Sequence, residues 1–545
     1  MTIKANYVDI KNRDIYPADI EIKDGKIFSV TKTKGFLSTY VLPGFIDAHI
    51  HIESSMLIPS EFARIAVMHG TVATVSDPHE IANVLGKQGI NYMLYNASLV
   101  NFNFNFGVSS CVPATPFETS GATLDAKLVA QLLQNQKLNH LGEVMAFPSV
   151  INGDAEIMAK IDAAKKLNIP IDGHAPNLSG EDLKKYIDSG ISTDHESSSY
   201  EEAKEKLELG MKVLIREGSA AKNFDALSPL IDDYHENLMF CSDDRHPNDL
   251  LKEHINSLVV RSVKGGHDIF HTLEIACINP IEHYNLDVGR LGIGDKADFI
   301  EVQDLESFKI VKTIINGEVV FEDSQSKIKS IKTEPANNFH ASETLASDFV
   351  FSNICKSIKV IHAIDHELLT QEQIYNTNTD GYFNIDIKKD ILKIAIINRY
   401  ENKKPVVAFI NGFGLKRGAI ASSVAHDSHN IIAVGCSDED ISKAVNLVIS
   451  SKGGISAVDS KESLHLPLDV AGIMSSNDAY YVASKYEEID SFAKNNLKSS
   501  LSAPFMTLSF MALLVIPEIK LSDKGLFDAR TFHFITTCVE TTPKK

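Results

Sequence analysis

Between residues 43 and 284 the chain repeats one pattern, a short apolar strand-like run followed by a helical stretch. The runs lie at 45–51, 71–75, 104–109, 140–145, 169–173, 191–194, 211–215 and 238–241. Strands separated by helices are parallel, because a tight turn can only reverse a strand and a crossover is needed to repeat its direction. Eight units in about 240 residues match the count and length of a closed (β/α)8 barrel. The unit after 169–173 can be followed residue by residue. Ser179, with Asp182 three positions on, has the pattern of a helix N-cap. Leu183, Tyr186 and Ile187 then form one apolar face, and Gly190 ends the helix before the next strand.

The flanks differ. Residues 1–42 read as short strands with a hairpin turn at Asp24-Gly25, and 285–330 read as another hairpin set turning at Asn316-Gly317. Both pieces together suggest one small β-sandwich built from the two ends of the barrel, with two separate β-appendages as the alternative. Polar residues 325–345 read as a linker. A C-terminal α+β domain is expected over 346–545, a possible lid on the barrel. It has buried strands around 405–410 and 431–434, and a helix whose Ile441, Ala444, Val445 and Val448 share one face behind a Ser437 cap. The fold class is therefore α/β, a (β/α)8 barrel with a composite β-sandwich and a C-terminal α+β domain. Gly412-x-Gly414 is too short for a phosphate loop.

The formal charge of −19 argues against nucleic acid or anionic membrane as a partner, while leaving small neutral substrates open. Residues 1–9 lack an apolar signal core and no apolar run has membrane-spanning length, so a cytoplasmic protein is expected. The six cysteines, Cys111, Cys241, Cys277, Cys355, Cys436 and Cys538, show no Cys-x-x-Cys spacing and are expected to be reduced thiols.

In a (β/α)8 barrel the chemistry sits at the C-terminal ends of the strands. His49 and His51 alternate onto one side of the first strand, where two imidazoles can grip one ion. Glu143 lies near the end of the fourth strand, His174 after the fifth, His195 after the sixth and Asp243 after the eighth, beside Asp244. Taken singly, each has a dull explanation as a surface or capping residue. Together, on one rim, they predict a metal centre. Four imidazoles and two carboxylates without a thiolate suit Zn, Mn or Fe(II) rather than Ca or Cu(I). A carboxylate in the middle of the set can bridge two ions with hydroxide between them. Asp243 can also accept the proton of attacking water. Alternation from Met239 and Cys241 favours it over Asp244 as the inward residue.

The run Pro43-Gly44-Phe45-Ile46-Asp47-Ala48-His49-Ile50-His51, followed in order by His174, His195 and Asp243, resembles the amidohydrolase superfamily, which implies a metal-dependent hydrolase barrel. His51-Ile52-Glu53-Ser54-Ser55-Met56, Ser76-Asp77-Pro78-His79-Glu80, Gly142-Glu143-Val144-Met145, Ser242-Asp243-Asp244-Arg245-His246-Pro247 and Ala425-His426-Asp427-Ser428-His429-Asn430 narrow the likeness to the bacterial adenine deaminase family, across essentially the whole chain. Glu143 stands where many superfamily members carry a carboxylated lysine. The resemblance implies hydrolytic deamination of adenine to hypoxanthine and ammonia in purine metabolism. It implies a binuclear divalent centre with Mn(II) or Fe(II), Zn(II) being the third option. The expected partner is the small molecule alone, with no nucleic acid and no membrane, and the expected assembly is a homo-oligomer (dimer). Hydroxide would add to C6 while Asp243 relays its proton. Glu80 and His79 are candidate acids for the ring nitrogen or further ligands, against a plain helix-capping role; Glu53 is ambiguous in the same way. His426, Asp427 and His429 are candidates for a lid over the substrate or an extra metal contact, against a plain polar turn. Arg64, Arg216 and Asn83 are conceivable contacts to the base, none singled out. The competing readings are another amidohydrolase acting on a cyclic amide or aminopurine and a metal-free scaffold.

Overall fold

The computed structural model describes residues 1–35, 37–351, 355–376 and 383–539. Residues 540–545 of the expected C-terminal domain lie outside them.

Five parallel strands, Phe45–Ile50, Thr71–Ser76, Asn103–Val108, Leu138–Val144 and Ile171–Gly173, pair in sequence order. Three more, Thr193–Asp194, Lys212–Arg216 and Leu238–Cys241, pair in the same sense. Backbone hydrogen bonds bring the two groups into one ring: Ser192 N donates to Ile171 O at 2.9 Å, and Asp243 N donates to His49 O at 2.9 Å. The first two strands are buried along their whole length, as expected of a parallel strand covered on both faces. Helices such as Ala155–Leu167 and Tyr200–Glu208 return the chain between strands. The barrel is the (β/α)8 arrangement read from the sequence.

The helix Gly180–Asp188 buries Leu183 and Tyr186 as its pattern requires. Ser179 occupies the N-cap position, but its side chain accepts no capping hydrogen bond. Glu205, on the neighbouring helix, accepts from Gly180 N at 2.8 Å instead. A tertiary carboxylate thus takes over what the local motif would have supplied.

The two chain segments flanking the barrel form one eight-stranded sheet. Tyr40–Pro43 is its seam, parallel to Thr2–Asp9 on one side and antiparallel to Phe299–Val302 on the other. The sheet curls over a core that includes Ile20, Val41, Phe299 and Ile314, and Ile27 N reaches across to Asp295 O at 2.9 Å.

Residues from 357 onward build a second eight-stranded sheet, with Leu392–Ile397 and Ile431–Gly435 side by side near its centre. Helix Asp438–Ser450 packs Ile441, Ala444, Val445 and Val448 on one face of this sheet. Ser437 caps it, accepting from Asp440 N at 3.1 Å. The opposite face, through Ile394, Ile420 and Ile432, joins the core that also contains the barrel.

The expectation of six reduced thiols is corrected for two of them. Cys355 and Cys538 form a disulfide, with Cα atoms 5.4 Å apart. The C-terminal tail runs beside strand Ser357–Ala363, with Lys359 N donating to Thr537 O at 2.8 Å and Val539 N to Ser357 O at 2.9 Å. That pairing sets the cysteines opposite each other, across a sequence separation of 183 that carries no local signature. Among the described residues no helix is long and apolar enough to cross a membrane.

Candidate active site

The C-terminal ends of the barrel strands converge on one buried cluster. His49, His51, Glu143, His174, His195 and Asp243 are each no more than 6% exposed. Strand alternation sends His49 inward; the strand ends at Ile50, but His51 keeps an extended backbone and follows it, the two ring centroids 4.9 Å apart. Glu143 lies at the centre. Its Oε1 is 3.2 Å from His51 Nε2, and its Oε2 is 2.9 Å from His174 Nδ1 and 3.1 Å from His195 Nε2. One carboxylate therefore faces two histidine sets with its two oxygens. Asp243 Oδ1 lies 3.2 Å from His51 Nε2 and 3.6 Å from His49 Nε2. Asp243 arrives there through a left-handed backbone, φ 53°, just beyond the strand that ends at Cys241. The alternation expected from Met239 and Cys241 therefore does not reach it, and Asp244 also faces the cavity. Left-handed aspartate is tolerated but costly, and such outliers collect at functional sites.

A layer of partners fixes these donors. Asp77 O accepts from His51 Nδ1 at 3.0 Å, which leaves His51 Nε2 turned to the cluster. Asp77 Oδ2 accepts from Glu143 N at 3.0 Å and Oδ1 from Ser109 Oγ at 2.8 Å. This close approach explains Gly142, where a Cβ would fall 2.3 Å from Asp77 Oδ2. Arg216 donates to Asp243 Oδ2 at 2.7 Å and also binds Glu196. Burial alone would raise the Asp243 carboxyl, but Arg216 and the histidines hold it well below the usual carboxylate range. Burial also opposes ionisation of Glu143, and the imidazoles of His174, His195 and His51 overcome it.

The segment 425–430, far along the chain, covers the cluster. His426 Nδ1 donates to Glu80 Oε1, and His429 Nε2 pairs with Glu80 Oε2. His79 bridges the two layers: Nδ1 is 3.4 Å from Glu143 Oε1, and Nε2 is 3.3 Å from Glu80 Oε1 and 3.7 Å from Asp427 Oδ1. Burial pulls the His426 imidazole down, but Glu80 and Asp244 push it up to about 9. Against the cost of burial, His426, His429 and His79 hold the Glu80 carboxyl well below its usual range. Leu368, Phe510 and Leu513 complete the roof of a small cavity above the cluster.

The helix-capping alternative for Glu80 goes instead to Glu53. Although Glu80 lies in the first turn of helix His79–Leu85, it is Glu53 Oε1 that accepts from Ile81 N, at 3.2 Å. Burial pushes Glu53 up to about 7. Of the three conceivable base contacts, only Arg216 reaches the cluster. Arg64 is held by Glu61 and Asp478, and Asn83 donates to His79 O at 3.0 Å. Asp77 and Glu196 were given no role from the sequence. Each is adjacent or nearly adjacent to a histidine singled out there, and that adjacency was the available signal.

The donor set fits divalent cations. His49 Nε2 and His174 Nε2 are buried without hydrogen-bond partners, an expensive state for imidazoles that are not ligands. Several groups of three donors, such as His49, His195 and Asp243 or Glu143, His174 and His195, lie close enough to share one ion.

Comparison with known proteins agrees with this geometry. Residues 40–320 match the amidohydrolase family, and residues 367–533 match the adenine deaminase C-terminal domain. The chain is 57% identical to the adenine deaminase of Sulfurovum sp., over 99% of this chain and 100% of that one. It is 53% identical to that of Borreliella burgdorferi, over 98% and 99%, and 49% identical to that of Methanosarcina barkeri, over 98% of each. The amidohydrolase family implies a divalent metal centre, and the clustered histidines and carboxylates are of the kind that holds one. With both of its halves matched and its full length shared with these relatives, the chain belongs to the adenine deaminase family of amidohydrolases.

Proposed function

We propose that this protein hydrolyses adenine to hypoxanthine and ammonia, in purine salvage in the cytoplasm. The observation that carries the reading is the closure of the barrel mouth by His426, Asp427 and His429 on Glu80 and His79. A plain cyclic amidase needs only the barrel donors; this chain adds a proton-carrying pair above them.

His49, His51, Glu143, His174, His195 and Asp243 would hold two divalent ions, Mn(II) or Fe(II) in our reading. When bound, such ions supply the Lewis acidity that makes water nucleophilic at neutral pH. Asp243 accepts a proton from the water whose oxygen bonds to C6. Its Oδ2 is anchored by Arg216, so Oδ1, which faces His49 and His51, is the oxygen that takes part. The same proton then goes to the exocyclic amine, which leaves as ammonia when the C6–N bond breaks. The remaining hydroxyl proton is released as the C6 carbonyl forms, replacing the one given to the ring nitrogen. Addition at C6 also requires a proton on a ring nitrogen. The His426 imidazole holds one at neutral pH, and Glu80 is placed to pass it on. His79 holds Glu80 in register with Glu143. The roof of Leu368, Phe510 and Leu513 keeps bulk water from the reacting carbon.

The test is to load the purified protein with Mn(II), supply adenine, and follow ammonia release together with the change of purine absorbance to that of hypoxanthine. Hydrolysis of a cyclic amide such as hydantoin, with adenine left intact, would overturn the reading.

A further inference from the structure

A second hollow, of about 340 Å³, lies beside the catalytic cavity, between the loops that follow the third, fourth and fifth barrel strands and the C-terminal unit. Three half-buried phenyl rings line it: Phe117, Phe147 and Phe532. Phe147 opens the short helix Phe147–Ile151 just beyond the fourth barrel strand. Phe117 is braced by Phe527, ring centroids 4.8 Å apart, and Phe532 packs edge-on to the same Phe527 at 5.9 Å.

The two hollows adjoin. Met145 lines both. Leu368 faces the inner one and Leu369 the outer; Leu513 faces the inner one and Val515 the outer. The partition is thus made of neighbouring residues on two C-terminal segments and one methionine, whose unbranched side chain adapts readily. Lys520 ties this partition from behind, donating to Leu368 O at 2.6 Å and Phe510 O at 3.1 Å.

The chemistry of the outer hollow selects its occupant. Among the described residues no charged side chain lines it; its polar groups are those of Thr115, Ser149 and Asn177. The cations closest in sequence to its walls are committed elsewhere. Lys524 donates to Pro116 O at 3.0 Å and Glu118 O at 2.9 Å, and Arg530 is held by Asp528 and Glu372. Phenyl rings in an apolar recess favour a flat, neutral heteroaromatic that can stack, with a few polar groups to orient it. A phosphate dianion would lose its hydration there with nothing to replace it.

We infer that this hollow is an antechamber that binds the free purine base before it passes Met145 into the catalytic cavity, and that it discriminates against nucleotides. The inference rests on the adenine reading above and adds a second binding site to it.

The chain contains no tryptophan, so Phe532→Trp installs a single fluorescent reporter in the antechamber. In an Asp243→Asn background, with ammonia release checked to be negligible over the titration, adenine should quench its emission saturably. AMP should need at least about tenfold higher concentration for the same quenching. Phe147→Trp is a second reporter at the opposite wall, for use if the first does not fold. In the otherwise native, metal-loaded enzyme, Phe147→Ala and Phe532→Ala should raise KM for adenine about tenfold while leaving kcat within about twofold. Unchanged emission with adenine, AMP binding as tight as adenine, or an unaltered kcat/KM in both alanine variants would each overturn the antechamber. Ammonia release by the parent enzyme reports on the adenine reading separately.

Discussion

Glu80 and His426 are 346 residues apart in the chain and share a hydrogen bond in the cavity, His426 Nδ1 donating to Glu80 Oε1. The contact joins the barrel to the C-terminal unit at the wall of the cavity above the donor cluster. It also divides labour between the partners, with the imidazole holding the proton and the carboxylate facing inward through His79.

Glu80→Gln removes the charge that binds His426 and His429 while keeping the shape. We expect kcat for adenine to fall by about 100-fold or more, the usual worth of a positioned acid. Metal content should stay that of the parent. Steady-state ammonia release with metal analysis of the same sample checks both, and an activity within a few-fold of the parent would remove Glu80 from the proton path.

Asp243→Asn should lower kcat by about 1000-fold or more. Arg216 would lose one of its two anionic partners and His51 the carboxylate charge 3.2 Å away, but five of the six donors remain, so much of the metal should be retained. Near-normal turnover would exclude Asp243 as the proton relay.

His49→Ala takes one donor from the group it forms with His195 and Asp243. The variant should bind about one ion fewer per chain after loading and dialysis. Elemental analysis showing parent occupancy would reject His49 as a ligand.

Lys520 gives a pH signature that does not involve the metal site. Burial pushes its ammonium down to about 7, from the 10.5 of an exposed lysine. Below about pH 7 both folded and unfolded chains carry the proton, and the folded protein bears the full cost of the buried charge. Between about 7 and about 10 the unfolded chain binds one proton more than the folded one, so this contribution to stability rises with pH. Melting temperatures of the parent and of Lys520→Met, compared between about pH 6 and about pH 9.5, should diverge in favour of the parent as pH rises. Parallel curves would contradict the shift.

The Cys355–Cys538 bond closes a loop across 183 residues. Cys538→Ser should cost about 2–4 kcal/mol of stability, with the tail's backbone pairing to Ser357–Ala363 keeping the loss toward the lower end. Thermal melts with and without reductant measure it; no change on reduction would show the tail to be held by its hydrogen bonds alone.

The barrel was legible in the sequence because eight apolar runs, each closed by a turn, leave few other arrangements. The rim donors were legible because strand ends could be located to within a residue or two; His174 and His195 follow their strands directly. Contacts made after the chain has folded back on itself were not legible. The Glu80–His426 bond, the Arg216 grip on Asp243 and the Cys355–Cys538 pairing depend on tertiary docking that no local pattern encodes. Even a correct local pattern can be overruled, as at Ser179, where Glu205 supplies the acceptor that Gly180 N uses.

The seam strand Tyr40–Pro43 has a consequence for how the protein is made. It leads straight into the first barrel strand, yet one of its two edges is completed only by Phe299–Val302. During synthesis the opening hairpins therefore emerge first and must wait, edge exposed, until more than half of the polypeptide has left the ribosome. A chain interrupted before that point would present an unpaired β-edge, the feature that quality-control proteases and aggregation both recognise.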